Sequence, residues 1–296
     1  MTPAGSGRTA HLIDATGYLF RSYYAIRSMT SPDGLPTNGV YGLLQTVLRF
    51  LRTEEPQYAA AVFDAGRESF RNEIYPEYKA NRGEPPEDLV PQFDLALEVV
   101  RAIGLPLFRM EGFEADDLLG TLTRLAVDNG FSVRIYSGDK DLAQLVDGRV
   151  RLLDLGKETV LDADGVRKKF GVSPKRLPDL IGLTGDPIDN IPGVPGVGPV
   201  TARALLGASG SLDALLDDLE VIDGLAVRGR EGLKKKLLER SKEALLSRRL
   251  ATIRRDVPLD LSMEALRWDG AQRDLAGSLF EKLGFERSLD RVPRWA

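Results

Sequence analysis

The sequence predicts an α/β fold: a mostly parallel central sheet flanked by helices, followed by a helical carboxy-terminal half. Three observations carry this reading. Short, nearly continuous apolar runs alternate with helical patterns through the first half of the chain, as in a parallel sheet covered on both faces. Three of those runs end in aspartate. After about Asp162 strand signals are few, and Gly and Pro punctuate short helical stretches.

In chain order, the first strand is Ala10–Asp14, with helices predicted over Thr16–Arg27 and Gly39–Arg52. Tyr58–Asp64 (YAAAVFD) is a second strand and Leu105–Met110 a third, separated by a helix over Pro91–Ile103. A helix over Glu114–Asn129 leads to the strand Phe131–Asp139 (FSVRIYSGD), a helical turn over Lys140–Val146, and the strand Val150–Leu155. Residues 10–161 thus form the α/β core and 162–290 a helical region, which ends in a longer helix through a basic run. Two segments stand outside the scheme. Ala65–Leu89 is polar, with Arg67, Arg71, Lys79 and Arg82 interleaved with Phe70, Tyr75 and Tyr78; a loop of that length in a compact domain is functional or disordered. Gly182–Leu206 is dense in glycine and proline.

Composition excludes several chemistries. At 296 residues the chain is long enough for about two domains and needs no staples to fold. It has no cysteine, so disulfides and thiolate catalysis are out, and a reducing cytoplasm is the expected setting. No run reaches the roughly 18 apolar residues of a membrane span, and Met1–Thr9 lacks the apolar core of a secretory signal. His11 is the one histidine, which removes any mechanism needing two imidazoles. The net charge of −4 hides a basic run from Lys234 to Arg255, where nine cationic residues face two acids. That run reads either as a phosphate-binding surface or as an ordinary solvated helix face.

The acids are the main signal. In an open parallel sheet, ligands bind beyond the carboxyl ends of the strands, at the point where strand order reverses. Asp14, Asp64 and Asp139 stand there. One such aspartate is most simply a helix N-cap; three suggest a site. Glu114, Asp116 and Asp117 crowd the start of a helix, more acids than its dipole calls for. Asp141 accompanies Asp139, and Asp186 and Asp189 lie about one turn apart. Nine carboxylates in one cleft would repel each other unless cations neutralised them. With only oxygen donors present, hard Mg²⁺ or Mn²⁺ is the expected guest, and two ions a few ångströms apart would use so many ligands to clamp a phosphodiester.

The motifs LIDATGYLFRSYYA, AVFDA, YKANR, GFEADDLLGTL, SGDKDLAQLV and GDPIDNIPGVPGVGPVTA, in this order, closely resemble the 5′-nuclease (flap endonuclease) family across about residues 10–290. That family includes the 5′→3′ exonuclease domain of bacterial DNA polymerase I and its stand-alone bacterial and phage relatives. The resemblance implies the PIN-like 5′-nuclease fold. It places Asp14, Asp64, Glu114 and Asp116 around a first metal ion and Asp139, Asp141, Asp186 and Asp189 around a second, with Asp117 in or just behind the first set. It makes Lys79 the lysine at the scissile phosphate, with Arg82 beside it, and Ala65–Leu89 the arch that a single-stranded 5′ end passes. A cation there would stabilise charge developing on phosphate. Arg71 and Tyr78 would extend a basic, base-stacking track.

Residues 178–206 read as a helix–hairpin–helix in which Gly193, Gly196 and Gly198 bring backbone N–H groups to a duplex phosphate. No strand leads into this segment, which disfavours a dinucleotide fingerprint. The resemblance adds K⁺ on the hairpin carbonyls. It also implies a monomer, nucleoid-associated in the cytoplasm, acting on DNA flaps, nicks and single-/double-strand junctions, or on an RNA primer in an RNA–DNA hybrid. Relatives often carry lysines where Pro195 and Val200 stand, which questions duplex affinity and leaves the basic run Lys234–Arg255 to compensate; they also carry a serine where Ile188 stands, but the acids of that motif are kept. Two alternatives differ in class: a branched-DNA-binding homologue that does not cut, and a PIN-type single-strand RNase, which would lack arch and hairpin.

Overall fold

The computed structural model describes residues 8–296, so the reading of Met1–Thr9 lies outside the described residues apart from its last two. The first half runs β1 (Thr9–Asp14), α1 (Ala15–Ala25), α2 (Asn38–Glu54), β2 (Tyr58–Val62), α3 (Phe70–Ile74), α4 (Val90–Ala102), β3 (Leu107–Phe108), α5 (Ala115–Asp128), β4 (Ser132–Tyr136), β5 (Val150–Asp154) and β6 (Thr159–Leu161). Then come α6 (Ala163–Phe170), α7 (Leu177–Thr184), α8 (Pro199–Ser209), α9 (Leu212–Asp217), α10 (Arg230–Glu239), α11 (Ser241–Ala251) and α12 (Arg273–Leu283).

The sheet order is β3-β2-β1-β4-β5-β6, parallel except for β6. The chain builds outward from β1 through β2 to β3, then returns to place β4 on the other side of β1. This reversal is the switch point, and it sets the carboxyl ends of β1, β2 and β4 side by side. Alternation along β1 divides the core. Ala10 and Leu12 face α5 and the helical half, in one cluster with Leu118, Leu122 and Ile135. Ile13 faces α2 and α4, in a second cluster with Leu44, Leu48 and Val100. Trp268, Phe280 and Leu283 join that second cluster, so the carboxy-terminal segment returns to the sheet it left.

Two expectations are corrected. The basic run is not one helix: α10 ends at Glu239 and α11 starts at Ser241, with Arg240 between them outside helical geometry. The edge strand β6 escaped the sequence reading because it is three residues long and largely exposed, leaving no apolar run. Ala65–Leu89 is not an open loop. It holds the single-turn α3, and its Tyr78, with Ile74 and Tyr75, packs against Ile181, Ile191 and Leu250 of the helical half.

Candidate metal centre

Beyond the carboxyl ends of β1, β2 and β4 lies a cleft of about 170 Å³ lined by Asp14, Asp64, Glu114, Asp116, Asp139, Asp141 and Asp189. Each acid arrives on a different piece of local structure. Asp14 ends β1 and caps α1: its Oδ1 accepts from Gly17 N at 2.8 Å and its Oδ2 from Ser137 Oγ at 2.6 Å. Asp64, just past β2, reaches across to cap α5, accepting from Ala115 N at 2.8 Å, while its own N–H donates to Thr16. The capping role and the cleft role therefore coincide in these two residues. Asp139 follows β4, its N–H donating to Ser137 Oγ and its Oδ1 accepting from Asp141 N.

Asp189 and Asp186 come from the helical half, and the arch holds their loop in place. Lys79 N donates to Asp189 O at 3.0 Å, Asn81 Nδ2 to Pro187 O at 2.7 Å and Asn190 Nδ2 to Glu77 O at 2.7 Å. Lys79 and Asn190 both adopt left-handed backbone, at φ +57° and +54°, strain of about 1–3 kcal/mol each that clusters characteristically at functional sites.

The electrostatics follow from crowding and burial. Burial pushes Asp14 up to about 6, partly offset by its bonds to Ser137 and Gly17, with Asp64 and Asp139 adding repulsion. Burial also raises Asp64, against the pull of the Ala115 N–H. Asp116 is raised well above the carboxylate range by burial and then by Asp139, Asp14 and Glu114. Asp141 is pushed up to about 7 by burial and then by Asp139. Two other acids escape because cations reach them. Burial alone would raise Glu114, but the Lys79 ammonium at 2.7 Å and the Arg71 guanidinium hold it below its ordinary value. Asp186 is likewise held down by Lys140 against its burial. Arg82 pairs with Asp189. Among the described residues no three acidic or histidine side chains close on one point at coordination distance. The donor set is nonetheless all hard oxygen, strained by its own charge and open to a divalent cation, which fits Mg²⁺ or Mn²⁺.

A family description matches this architecture: a 5′-3′ exonuclease N-terminal, resolvase-like domain over residues 9–171, followed by a 5′-3′ exonuclease C-terminal SAM fold over residues 172–274. The chain belongs to the 5′-3′ exonuclease family. Membership makes it a nuclease, a phosphodiester hydrolase. DNA polymerase I of Pseudomonas aeruginosa is 43% identical over 286 residues, 96% of this chain and 31% of that protein. DNA polymerase I of Bacillus caldotenax is 39% identical, over 95% of this chain and 32% of that protein. The chain thus spans about a third of these relatives. Among solved structures, a T5 5′-exonuclease with bound divalent zinc ions matches with a TM-score of 0.68 at 21% identity, over 82% of this chain and 89% of that one. The catalytic core of Rad2 in complex with DNA substrate matches at 0.64 and 18% identity, over 96% and 92% of the two chains. At such identities the likeness is one of fold. No helix among the described residues is long and apolar enough to cross a membrane.

Within this exonuclease, four of the residues expected to touch metal or DNA are committed elsewhere. Asp117 is fully buried, and both its oxygens are taken by Arg71 (2.7 and 2.8 Å), with Arg254 N and Glu114 N also donating to them. It has no face left for a metal ion. Arg71, 2% exposed, also donates to Leu250 O and Thr252 O, so it bolts the arch and α5 to the end of α11 instead of offering a DNA contact. Tyr78 is buried, its hydroxyl donating to Glu114 at 3.3 Å, and cannot stack on a base. Gly193 spends its N–H on Ser247 Oγ at 2.9 Å. Its φ of +62° and the approach of Gly185 N, 2.2 Å from where a Cβ would lie, still demand glycine.

Gly196 and Gly198 are exposed on the turn before Pro199, the first residue of α8. Lys236 of α10 reaches this turn: its Nζ lies 2.9 Å from where a Cβ on Gly196 would be. Five of the eight other basic-run cations are paired, Lys234 with Glu220 and Asp223, Lys235 with Glu239, Arg240 with Glu243, Arg248 with Asp179 and Asp213, and Arg254 with Asp256. Among the described residues Lys236 has no carboxylate within 4 Å. Lys236 belongs to the basic run but residue types do not single it out there, nor do they point to Ser137, Ser69 and Lys140, which orient Asp14, Glu114 and Asp186. Ser137 precedes the SGDKD acids and Lys140 stands between them, the one signal that could have found these two.

Proposed function

We propose that the chain is a divalent-metal-dependent, structure-specific 5′ nuclease, acting exonucleolytically on 5′ ends and endonucleolytically on 5′ flaps at single-/double-strand junctions of DNA. The observation that carries this is the carboxylate cleft at the sheet's switch point with Lys79 and Arg82 of the arch over it. Asp14, Asp64, Glu114 and Asp116 would hold one Mg²⁺, and Asp139, Asp141 and Asp189, with Asp186 behind them, a second. When bound, such ions supply Lewis-acid activation of the phosphodiester and of the water that attacks it.

The chain's own residues do the rest. Ser137 and the Gly17 N–H orient Asp14, and the start of α5 orients Asp64. Lys79 and Arg82, cations whose protonated forms the cleft acids favour, are placed to receive the scissile phosphate's negative charge. Exposed Gly196 and Gly198, with Lys236 alongside, offer N–H groups and charge to the duplex backbone, a contact that positions without reading sequence. DNA polymerase I as the relative supports a role in removing primers and flaps.

The test is a labelled 5′-flap duplex with Mg²⁺. Asp116→Asn and Asp139→Asn should each abolish cutting while leaving flap binding. Undiminished cutting would refute the metal assignment; binding without cutting by the unaltered chain would favour the non-cutting homologue. Faster cleavage of plain single-stranded RNA than of the flap would favour the RNase.

A further inference from the structure

The helix α1 has two working sides. Thr16, Gly17 and Phe20 line the carboxylate cleft, whereas Tyr18, Arg21 and Ser22 line a second cavity, of about 620 Å³, between α1 and α2. That volume lies in the range of small-molecule sites. Four arginines line it, Arg21, Arg49, Arg52 and Arg291, and no carboxylate does. Arg21 is balanced by Asp154 at 2.6 Å. The others are not: among the described residues Arg49, Arg52 and Arg291 have no carboxylate within 4 Å.

Two of these three are held by neutral partners. Arg49 Nη2 donates to Leu155 O at 2.6 Å, and Arg291 Nη1 donates to Gln45 Oε1. Carbonyl and amide acceptors fix a guanidinium's direction without cancelling its charge, so like charges are aimed into one concavity and left unneutralised. Between them the lining mixes Ala25, Ile26 and Leu48 with Ser22, Gln45 and Thr46. A Cβ on Gly42 would come within 2.5 Å of Ser22 and 2.6 Å of Ile26, so the two helices are in direct contact there. Guanidinium forks suit phosphate oxygens, and apolar side chains such as Ala25 and Ile26 suit the face of a base.

We propose that this cavity is a second, non-catalytic site for a free nucleotide, its phosphates on Arg49, Arg52 and Arg291 and its base against Ala25 and Ile26. A concave site of this volume takes one nucleotide and excludes a duplex. The uncompensated charge of three arginines favours a triphosphate over a monophosphate.

Calorimetric titration of the intact chain in metal-free buffer tests it, with dATP, dAMP, inorganic phosphate and a short oligothymidylate as separate probes. dATP should bind at least tenfold more tightly than dAMP, and inorganic phosphate weakest. Arg49→Ala with Arg291→Ala, both exposed and remote from the cores, should weaken dATP tenfold or more at unchanged melting temperature, whereas Lys79→Ala should leave it unaltered. The proposal fails if millimolar dATP gives no heat, if the double variant binds normally, or if Lys79→Ala abolishes binding, which would put the nucleotide in the carboxylate cleft. It also fails if inorganic phosphate or the oligonucleotide binds more tightly than dATP.

Discussion

Lys79 Nζ lies 2.7 Å from Glu114 Oε2, joining the arch to the residue that caps α5 across the mouth of the carboxylate cleft. The contact gives Lys79 two opposed effects. Its ammonium offsets the acids' repulsion, and so competes with a divalent ion for them; with DNA in place it faces the phosphate. Lys79→Ala should therefore lower flap cutting by about 10²–10³-fold, the usual loss on removing one donor to developing charge. It should at the same time tighten Mg²⁺ or Mn²⁺ binding measured by calorimetry. A fall in both would show that Lys79 merely props the cleft open.

Asp117 and Arg71 form a buried, bidentate pair away from solvent. Removing one partner leaves the other charge unpaired in the interior, so Arg71→Ala or Asp117→Ala should each cost about 3–5 kcal/mol of stability. Replacing both with apolar residues of similar size, Arg71→Met with Asp117→Leu, should recover much of that. Urea unfolding of the single and double variants checks it; additive losses in the double variant would refute the coupling.

How much of this site could be read beforehand depends on distance along the chain. Asp14, Asp64 and Asp139 were legible because each ends an apolar run, and a parallel sheet brings strand ends together whatever separates them in sequence. Asp116 and Asp117 were not separable. Neighbouring residues on a helix point about 100° apart, so one faces the cleft and the other the core, and the deciding partner, Arg71, stands 46 positions away. Which cations of the basic run are neutralised was illegible for a similar reason. Glu220, Asp223, Asp179 and Asp213, which neutralise Lys234 and Arg248, come from other elements that only the fold brings near.

Lys236 is the cation the fold leaves at the hairpin, at the place where Pro195 and Val200 offer none. Lys236→Glu should weaken duplex binding several-fold at low salt and lower the slope of log affinity against log salt by about one, since each phosphate contact releases about one counterion. The cutting rate at saturating substrate should hold. An unchanged salt slope would place the duplex elsewhere.

His11 lies buried in β1, its Nδ1 3.0 Å from Tyr136 Oη and its ring stacked on Tyr136. Burial, and then the charge of Arg134, pushes it down to about 4, so the native protein refuses a proton that the unfolded chain accepts near 6.5. Its contribution is therefore intact above about pH 6.5 and lost as pH falls to about 4, on the order of 3 kcal/mol in all. Asp14 and Asp141, pushed up to about 6 and about 7, act with the opposite sign in an overlapping window: the native state takes their protons first, so acidification relieves them. Overall acid sensitivity thus mixes the two, but the difference between wild type and His11→Gln isolates the histidine. Glutamine keeps an acceptor for Tyr136 and does not titrate. In metal-free urea melts from pH 7 to 4, the variant should start less stable and lose less, with the gap narrowing by up to about 1.4 kcal/mol per pH unit below 6.5. Parallel curves would mean that the folded protein protonates the ring at the same pH as the unfolded chain does.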